Sequence, residues 1–232
     1  MILFPFLERC FLIPEETYDP YENLAIEKEL FEKVKSGKIP NFFRIWRNRK
    51  SVIIGISPES KKEVRSKICL ALGIPIVRRF TGGGAVYHDL GNINWTVALR
   101  STFKSSSLRN PLKIYREFGG VVLRILEKFG LRGKIFKNSV FVKNRKICGM
   151  AAYISSDSLL CHGTFLVNSD LEIMRRVLKM KFPVANLKEL LNERIHVSKV
   201  IDLIIETFEE EFKVEEFIKV NSGSILQSFF GL

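Results

Sequence analysis

Three consecutive glycines that follow two arginines are the most informative chemical feature of the sequence. Residues 78–89 read Arg-Arg-Phe-Thr-Gly-Gly-Gly-Ala-Val-Tyr-His-Asp. Because glycine has no Cβ, the backbone N–H groups around Gly82, Gly83 and Gly84 can approach an anion closely. Arg78 and Arg79 add forked donors that suit phosphate or carboxylate. The pattern is neither a Walker A loop nor the dinucleotide GxGxxG motif, and no helix is predicted directly after it. We therefore predict a loop that binds an anionic ligand.

Two later segments carry further groups that could do chemistry. Residues 144–149 read Asn-Arg-Lys-Ile-Cys-Gly, and residues 161–166 read Cys-His-Gly-Thr-Phe-Leu. Lys146 stands between Arg145 and an apolar run, so we expect its side chain to point inward from a strand. His88 and His162 can each either hydrogen-bond a ligand or order a loop, and both interpretations stay open.

These segments and Ser-Val-Ile-Ile-Gly at residues 51–55 resemble four blocks of the lipoate-protein ligase A family, in the same order. The glycine loop matches the family signature Arg-Arg-x-x-Gly-Gly-Gly-x-Val-x-His-Asp. The resemblance covers about residues 24–191. It implies an α/β sandwich shared with biotin-protein ligases and octanoyltransferases. It also implies that ATP and Mg²⁺ activate lipoate to lipoyl-adenylate, with release of pyrophosphate, before the acyl group passes to a lysine of a lipoyl domain.

The resemblance also implies roles for individual residues. Lys146 would be the catalytic residue, bridging the acyl carbonyl and the α-phosphate, and a compact ammonium suits that position. The implied ATP and adenylate contacts are Arg79, Gly84, Ala85, Val86, Tyr87, Asn138 and Lys146. The implied lipoate contacts are Arg78, Gly83, His88, Lys146, Gly149, His162 and Gly163. Ser139 stands where the family usually has an aspartate, so the metal ligands are left unassigned.

The family also suggests partners. Its acceptors are the lipoyl domains of 2-oxoacid dehydrogenase complexes or the glycine cleavage H protein. Many relatives carry an additional C-terminal domain, and some place that domain on a separate polypeptide. By analogy, we expect residues 1–232 to form a single catalytic domain that works with a separate accessory subunit.

Three other functions can be compared with the sequence, and each has less support than a lipoate-protein ligase. An octanoyl- or lipoyltransferase would use a cysteine acyl-enzyme without ATP, and Cys148 or Cys161 would then need a lowered thiol pKa. In such transferases the cysteine lies upstream of the Arg-Lys block, where residues 131–138 contain none, so a ligase is favoured. A biotin-protein ligase would carry Gly-Arg-Gly-Arg-x-Gly, which is absent. A nucleic-acid module could use the basic residues 100–146, but no RNP, helix-turn-helix or zinc-finger pattern supports one.

Composition and charge agree with a globular enzyme that handles anions. The chain has 232 residues, 46% of them hydrophobic, and 37 Lys and Arg against 25 Asp and Glu, a net charge of +12. The excess lies in residues 1–190, whereas residues 191–232 carry −4. We expect the positive charge to serve a phosphate site and an acidic lipoyl-domain surface.

Residues 1–6 are too short for a signal-peptide core, no apolar run reaches eighteen residues, and the four cysteines lack CxxC spacing. We therefore expect a cytoplasmic protein with reduced thiols and no membrane contact.

The elements that must position these groups can be predicted from hydrophobic periodicity and turn residues. Predicted helices cover residues 22–34, 63–72, 111–129, 170–178 and 196–212, the last being the final element. Predicted strands cover residues 42–46, 51–56, 74–77, 92–99 and 159–167, with a hairpin over 138–154 that turns at 143–144. Residues 102–109 are the candidate lid. Strands and helices do not alternate strictly, which favours an α+β fold with mixed and antiparallel sheets flanked by helices.

Overall fold

The computed structural model describes residues 7–14, 16–100 and 110–227. The candidate lid at residues 102–109 therefore lies outside the described residues. The strands are β1 (Leu7–Ile13), β2 (Asn41–Trp46), β3 (Ser51–Ile54), β4 (Ile76–Arg78), β5 (Val86–His88), β6 (Asn92–Arg100), β7 (Gly133–Phe136), β8 (Ser139–Val142), β9 (Arg145–Ile154), β10 (Ser158–Leu166) and β11 (Val214–Lys219). The helices are α1 (Pro20–Lys35), α2 (Glu59–Lys62), α3 (Ser66–Ala71), α4 (Pro111–Lys128), α5 (Leu171–Val177), α6 (Leu187–Leu191), α7 (Val197–Phe212) and α8 (Ser222–Gln227).

The strands form a large and a small sheet. The large sheet has the order β11-β1-β2-β6-β10-β9-β8-β7, and the small sheet has the order β4-β3-β5. Strand β1 pairs in parallel with β2 and β11, and β3 pairs in parallel with β4. The remaining pairs are antiparallel. The prediction of mixed and antiparallel sheets flanked by helices is therefore confirmed.

Side-chain alternation along β6 shows what covers each face of the large sheet. Trp95 and Val97 belong to the main hydrophobic cluster, which α4 and α7 complete. Ala98 packs on the opposite face with Leu30 and Phe31 of α1. Because successive residues of a strand point to opposite faces, the polar residues next to Trp95 face α1 and the small sheet. That second face is where the cavity described below is formed.

The two long predicted helices have the starts and stops that their sequences indicate. The Asp19 carboxylate accepts the backbone N–H groups of residues 21 and 22, both at 2.9 Å, and Pro20 opens α1. The Asn110 side chain accepts the N–H of residue 112 at 3.0 Å, and Pro111 opens α4. Gly130 follows α4 with φ +70°, a conformation that glycine adopts without strain. Helix α1 packs on one face of the large sheet, and α4 packs on the other.

Three sequence-based predictions of elements were wrong in part. The helix expected over residues 63–72 covers only Ser66–Ala71, because Val64 bridges to Leu178 and the N–H of Arg65 donates to the carbonyl of Val177 at 2.8 Å. The strand expected over residues 51–56 is shorter, since β3 ends at Ile54. Helix α7 is not the final element, since β11 and α8 follow it. The predicted hairpin is confirmed, with Lys143 and Asn144 both at positive φ.

Candidate active site

A cavity of about 240 Å³ lies between the second face of the large sheet and the small sheet. One wall crosses β9, β10, β6 and β2, which spans three strand spacings or about 14 Å. The glycine loop and β5 form the opposite wall, and residues 179–184 border the cavity beside Lys146. The apolar lining residues include Leu24, Trp46, Ile53, Val86, Leu166, Met174, Leu178 and Met180. The charged lining residues are Glu63, Arg79, Lys146, Lys179 and Lys181. The cavity therefore offers an apolar lining for a chain-like group and several cations for an anion.

Most residues predicted for the site lie together at this cavity. The predicted residues that line it are Arg79, Gly84, Ala85, Val86, Tyr87, His88, Asn138, Lys146, Gly149, His162 and Gly163. Arg78 and Gly83 are not among the lining residues. Arg78 instead donates to the carbonyls of Gly55 at 2.6 Å and Ile56 at 3.1 Å, so it holds the turn next to the loop.

Arg79 is built into the glycine loop. Its Nε donates to Thr81 Oγ1 at 3.0 Å, and its Nη2 donates to the carbonyls of Gly82 at 2.6 Å and Gly84 at 2.9 Å. Gly83 has φ +88°, and a Cβ there would lie 2.8 Å from Arg79 Nη2. Burial lowers the pKa of Arg79 to about 10, which still leaves it charged at neutral pH. Arg79 thus binds the loop carbonyls of Gly82 and Gly84 on one side of the loop.

A β-bulge aims Lys146 at the cavity. Strand β8 pairs Val140 with Cys148 and Phe141 with Lys146, so that Ile147 is the extra residue. Both Ile147 and Cys148 are buried in the main hydrophobic cluster. In a regular strand these two neighbours would point to opposite faces, and a bulge removes that alternation. The bulge therefore brings Lys146 to the cavity face of the sheet, as the sequence predicted but for a different reason.

The Lys146 ammonium lies directly above Gly149. A Cβ at Gly149 would be 2.7 Å from Lys146 Nζ, so only glycine leaves room for the lysine in this position. Residues 183–185 hold the strand, since the Lys146 N–H donates to the Pro183 carbonyl at 2.8 Å and the Ala185 N–H donates to the Lys146 carbonyl at 3.0 Å. Burial lowers the pKa of Lys146, and the nearby charge of Glu63 opposes that shift. The geometry presents one ammonium in a confined, partly buried position.

Glu63 is a site residue that the sequence did not identify. Its carboxylate accepts the N–H of Ala85 in the glycine loop at 2.8 Å and contacts the Lys181 ammonium. Its own carbonyl accepts the N–H of Lys179 at 2.7 Å. Gly84 leaves room for the carboxylate, because a Cβ there would lie 2.3 Å from Glu63 Oε2. Local periodicity gave no sign of this role, since Lys181 is 118 residues away along the chain.

His88 orders the strand after the loop. The Asn48 amide donates to Nδ1 at 3.0 Å, and Thr164 Oγ1, which donates to Asn94 at 2.8 Å, lies 3.0 Å from Nε2. The hydroxyl hydrogen is used on Asn94, so His88 must donate from Nε2 and accept at Nδ1. Burial and the charge of Arg79 lower the pKa of His88 to about 3. His88 is therefore a neutral imidazole with both nitrogens satisfied.

His162 connects the glycine loop to helix α1. Its Nδ1 lies 2.9 Å from Oε1 of Glu27, and its Nε2 lies 2.9 Å from Thr81 Oγ1. Glu27 is fully buried and also accepts the Thr96 hydroxyl at 2.6 Å. Burial alone would raise the pKa of Glu27, but the charge and hydrogen bond of His162, helped by Thr96 and Arg44, lower it overall. A buried carboxylate thus anchors the loop through one histidine.

Neither candidate cysteine has the environment of a nucleophile. Cys148 lines the cavity, but burial raises the pKa of its thiol to about 12, with Lys146 only partly opposing the shift. Burial also raises the pKa of Cys161 well above its ordinary value. A thiolate at either position is therefore disfavoured at neutral pH.

Two basic residues of α4 form ion pairs with acidic residues of α7. Arg124 pairs with Glu211 at 3.5 Å, and Lys128 pairs with Glu206 at 3.5 Å and Glu210 at 2.9 Å. The acidic residues of α7 therefore balance part of the positive charge on α4. Among the residues that the structure describes, no group of three or more His, Cys, Asp or Glu side chains could hold a metal ion. Within the same ranges, no helix has both the length and the apolar character needed to cross a bilayer.

The profile of the lipoyl protein ligase A/B catalytic domain matches residues 19–209. The chain belongs to this family. It is 29% identical over 213 residues to lipoate–protein ligase 1 of Staphylococcus aureus, covering 86% of this chain and 62% of that protein. It is 30% identical over 202 residues to a putative lipoate-protein ligase A of Aeropyrum pernix, covering 81% and 74%. The S. aureus relative is thus matched over less than two thirds of its length.

Solved structures place the fold in the same group. A putative lipoate protein ligase from T. acidophilum with bound lipoic acid superposes with a TM-score of 0.81 at 26% identity, covering 97% of this chain and 95% of that one. A lipoate-protein ligase A bound with ATP gives 0.79 at 26% identity, covering 97% and 94%. A chain from a bi-partite lipoate protein ligase of Thermoplasma acidophilum, described with its E2 lipoyl domain, gives 0.79 at 25% identity, covering 97% and 92%. A biotin protein ligase from Aquifex aeolicus shares the fold alone, with a TM-score of 0.54 at 14% identity and coverage of 89% and 71%.

Proposed function

We propose that this chain is the catalytic part of an ATP-dependent lipoate-protein ligase. One observation carries the proposal: the Lys146 ammonium stands in the cavity beside the glycine loop, and none of the described carboxylates lies within ion-pair distance of it. A partly buried cation without a counter-charge is costly unless an anion joins it. Relatives of the same family, one with bound lipoic acid and one with bound ATP, support lipoate and ATP as the anions.

In the first step, a carboxylate oxygen of lipoate attacks the α-phosphorus of ATP. An acyl–O–P bond forms, the bond to the β-phosphate oxygen breaks, and pyrophosphate leaves. Both reactants are anionic, so the barrier depends on positioning and on charge stabilisation. Lys146 would contact the carboxylate and the α-phosphate together, while loop N–H groups between Gly84 and Tyr87 hold phosphate oxygens.

In the second step, the neutral amine of an acceptor lysine attacks the acyl carbonyl of the adenylate. An amide bond forms, AMP leaves with the electron pair of the acyl–oxygen bond, and the amine proton passes to solvent. Lys146 would again stabilise the negative charge as it moves onto the phosphate. The apolar lining near Trp46 and Leu24 would hold the acyl chain, because burial of apolar surface is the main attraction available to it.

We propose that Mg²⁺ reaches the site with ATP. Magnesium keeps several waters and binds through one or two carboxylates together with substrate phosphates. The lining residues in the described part of the chain provide one carboxylate, Glu63, which is too few for a cage made by the protein, so substrate phosphates and water would be the main ligands. Bound Mg²⁺ would neutralise phosphate charge.

We propose lipoyl domains of 2-oxoacid dehydrogenase complexes, and the glycine cleavage H protein, as acceptors. The neighbouring structure described with its E2 lipoyl domain supports the first. That neighbour is called bi-partite, and this chain covers 92% of the matched chain, so we also propose a separate accessory subunit for a catalytic domain formed by residues 1–232. Four buried free thiols are typical of a reducing compartment, which supports a cytoplasmic location.

The test is intact mass spectrometry of an acceptor domain after incubation with the chain, ATP, Mg²⁺ and lipoate, with and without the candidate accessory protein. We expect the mass of one lipoyl group to appear only when ATP is present, and pyrophosphate exchange into ATP to require lipoate. Acyl transfer from an acyl carrier without ATP, lost in Cys148→Ala, would instead identify the cysteine-dependent transferase. The high thiol pKa of Cys148 argues against that outcome.

A further inference from the structure

The Glu63 carboxylate is bonded to two groups that would also suit a phosphate. One oxygen accepts the Ala85 N–H at 2.8 Å, and the other contacts the Lys181 ammonium. Ala85, Lys181 and Lys146 line the same cavity, and Glu63 is the one carboxylate among the lining residues described. A backbone N–H from a glycine loop together with an ammonium is a common donor set for phosphate oxygens. The Glu63 carboxylate thus occupies a position whose donors also suit a phosphate.

The contact can be broken without disturbing the fold around it. The Glu63 side chain is 21% exposed and that of Lys181 is 69% exposed, so both ends can turn toward solvent. The backbone connection between the two segments does not depend on the carboxylate, because the Glu63 carbonyl accepts the Lys179 N–H at 2.7 Å and Val64 bridges to Leu178. The carboxylate can therefore turn away while the backbone of residues 63–64 stays in place.

We propose that the Ala85 N–H and the Lys181 ammonium form a phosphate subsite, which a nucleotide phosphate enters by displacing the Glu63 carboxylate. Lys181 then becomes a phosphate ligand, and Glu63 sets the affinity for nucleotide by competing for the same two donors. The identity of the anion as a nucleotide phosphate rests on the proposed function. The exchange of one anion for another rests on the contacts of Glu63.

The test is isothermal titration of the full chain with ATP, in wild type, Glu63→Gln and Lys181→Met. Glutamine keeps the size of the side chain and an acceptor oxygen but removes the charge that opposes a phosphate. We expect Glu63→Gln to bind ATP about tenfold more tightly, equal to about 1.4 kcal/mol, and Lys181→Met to bind it about tenfold more weakly. The matched controls are Glu59→Gln and Lys62→Met, which break an exposed ion pair of 2.8 Å in α2, and both should bind ATP as wild type does.

Repeating the titrations with EDTA separates the alternatives. Tighter binding by Glu63→Gln, both with Mg²⁺ and with EDTA, supports the exchange. Weaker binding only when Mg²⁺ is present would make Glu63 a metal ligand and overturn the proposal. Weaker binding in both conditions, with an unchanged melting temperature, would mean that Glu63 holds the loop for the nucleotide, which also overturns it. A wild-type chain that binds no ATP would overturn the proposed function together with this inference, whereas a wild type that binds ATP confines any failure to the inference.

Discussion

Removing the Glu27 carboxylate should destabilise the protein strongly and loosen the glycine loop. Glu27 is fully buried, accepts the Thr96 hydroxyl at 2.6 Å, and lies 2.9 Å and 3.1 Å from His162 Nδ1 with its two oxygens. Removing this buried acceptor leaves the Thr96 and His162 donors unsatisfied, at about 1–3 kcal/mol each and about 3–5 kcal/mol together. Glu27→Ala should therefore lower the free energy of unfolding by about 3–5 kcal/mol, a large part of a typical total of about 5–15 kcal/mol.

Glu27→Gln gives a sharper version of the same test. The amide keeps one acceptor for Thr96 but would point its N–H₂ at the Nδ1–H of His162. His162 can relieve that clash by moving its proton to Nε2, where Thr81 Oγ1 lies 2.9 Å away. We expect a loss of about 1–3 kcal/mol and a change of His162 tautomer in the nitrogen NMR spectrum. The matched control is Glu29→Gln on the same helix, whose ion pair with Lys33 is longer at 3.8 Å and whose side chain is 46% exposed.

The pH dependence of the stability difference between wild type and Glu27→Gln tests whether the charge of Glu27 causes it. The pKa of Glu27 in the folded protein is below its ordinary value of 4.5, so its stabilisation is complete above about pH 4.5 and is lost as pH falls through the folded pKa. Urea denaturation followed by circular dichroism from pH 3.5 to 8 should show the gap between wild type and Glu27→Gln shrinking at the acid end. A gap that stays constant with pH, or a Glu27→Ala cost below about 1 kcal/mol, would refute this account of the network.

Three further predictions concern the cavity and its supports. Lys146→Met should slow lipoate-dependent pyrophosphate exchange by about 10²–10³-fold, and the wild-type kcat/KM for lipoate, which reports the free enzyme, should fall as pH rises through a pKa below the ordinary lysine value of 10.5; a high-pH limb of kcat/KM at or above 10.5 would contradict the burial of the ammonium. Gly55→Ala should weaken ATP binding in titration, because its Cβ would lie 2.2 Å from the Gly83 carbonyl oxygen, whereas Gly82→Ala meets open space; equal effects would contradict the contact. His88, whose pKa is lowered to about 3, takes up its proton only on unfolding, so it should reduce the unfolding free energy by about 1.4 kcal/mol for each pH unit below about 6.5, and His88→Gln should remove that slope in urea titrations.

The sequence predicted which residues lie at the cavity better than it predicted their individual contacts. The glycine loop and Lys146 are contiguous motifs, so residue type and spacing were enough to find them. The task of Arg79 was not visible, because it depends on carbonyls that the folded loop turns inward, at 2.6 Å and 2.9 Å from the guanidinium. Glu63 was missed altogether, because its partner Lys181 comes from a distant segment.

The helices and strands show the same difference between local patterns and contacts with distant segments. Long strands and capped helices such as β6, β10 and α4 carry enough periodic residues to be predicted close to their observed bounds. Strand β11 has no regular alternation of buried and exposed residues and was missed, as were the short β7, α6 and α8. The break between α2 and α3 comes from backbone contacts with residues 177–178, which no local pattern can show.

The bulge at Ile147 shows why a correct prediction can rest on an incomplete reason. The apolar residues after Lys146 suggested a strand with the lysine pointing inward. Regular alternation would have placed Lys146 and Gly149 on opposite faces, since they are three residues apart. The register shift against Val140 and Phe141 restores them to one face, and Gly149 then makes room for the ammonium. One extra residue in the strand thus decides whether Lys146 meets the cavity.

Four cations of the described part of the chain line the cavity and differ in what balances their charge, and one of them, Lys179, is exposed to solvent. Arg79 is surrounded by loop carbonyls and the Thr81 hydroxyl, and Lys181 contacts the Glu63 carboxylate. Within the described residues, Lys146 has no carboxylate at ion-pair distance, while burial lowers its pKa. An anion that binds beside Lys146 therefore gains a favourable interaction that the empty protein lacks, and it must raise the pKa of Lys146 in return. Under the proposed function, the same unbalanced charge that destabilises the free protein would be the source of its affinity for an anionic substrate.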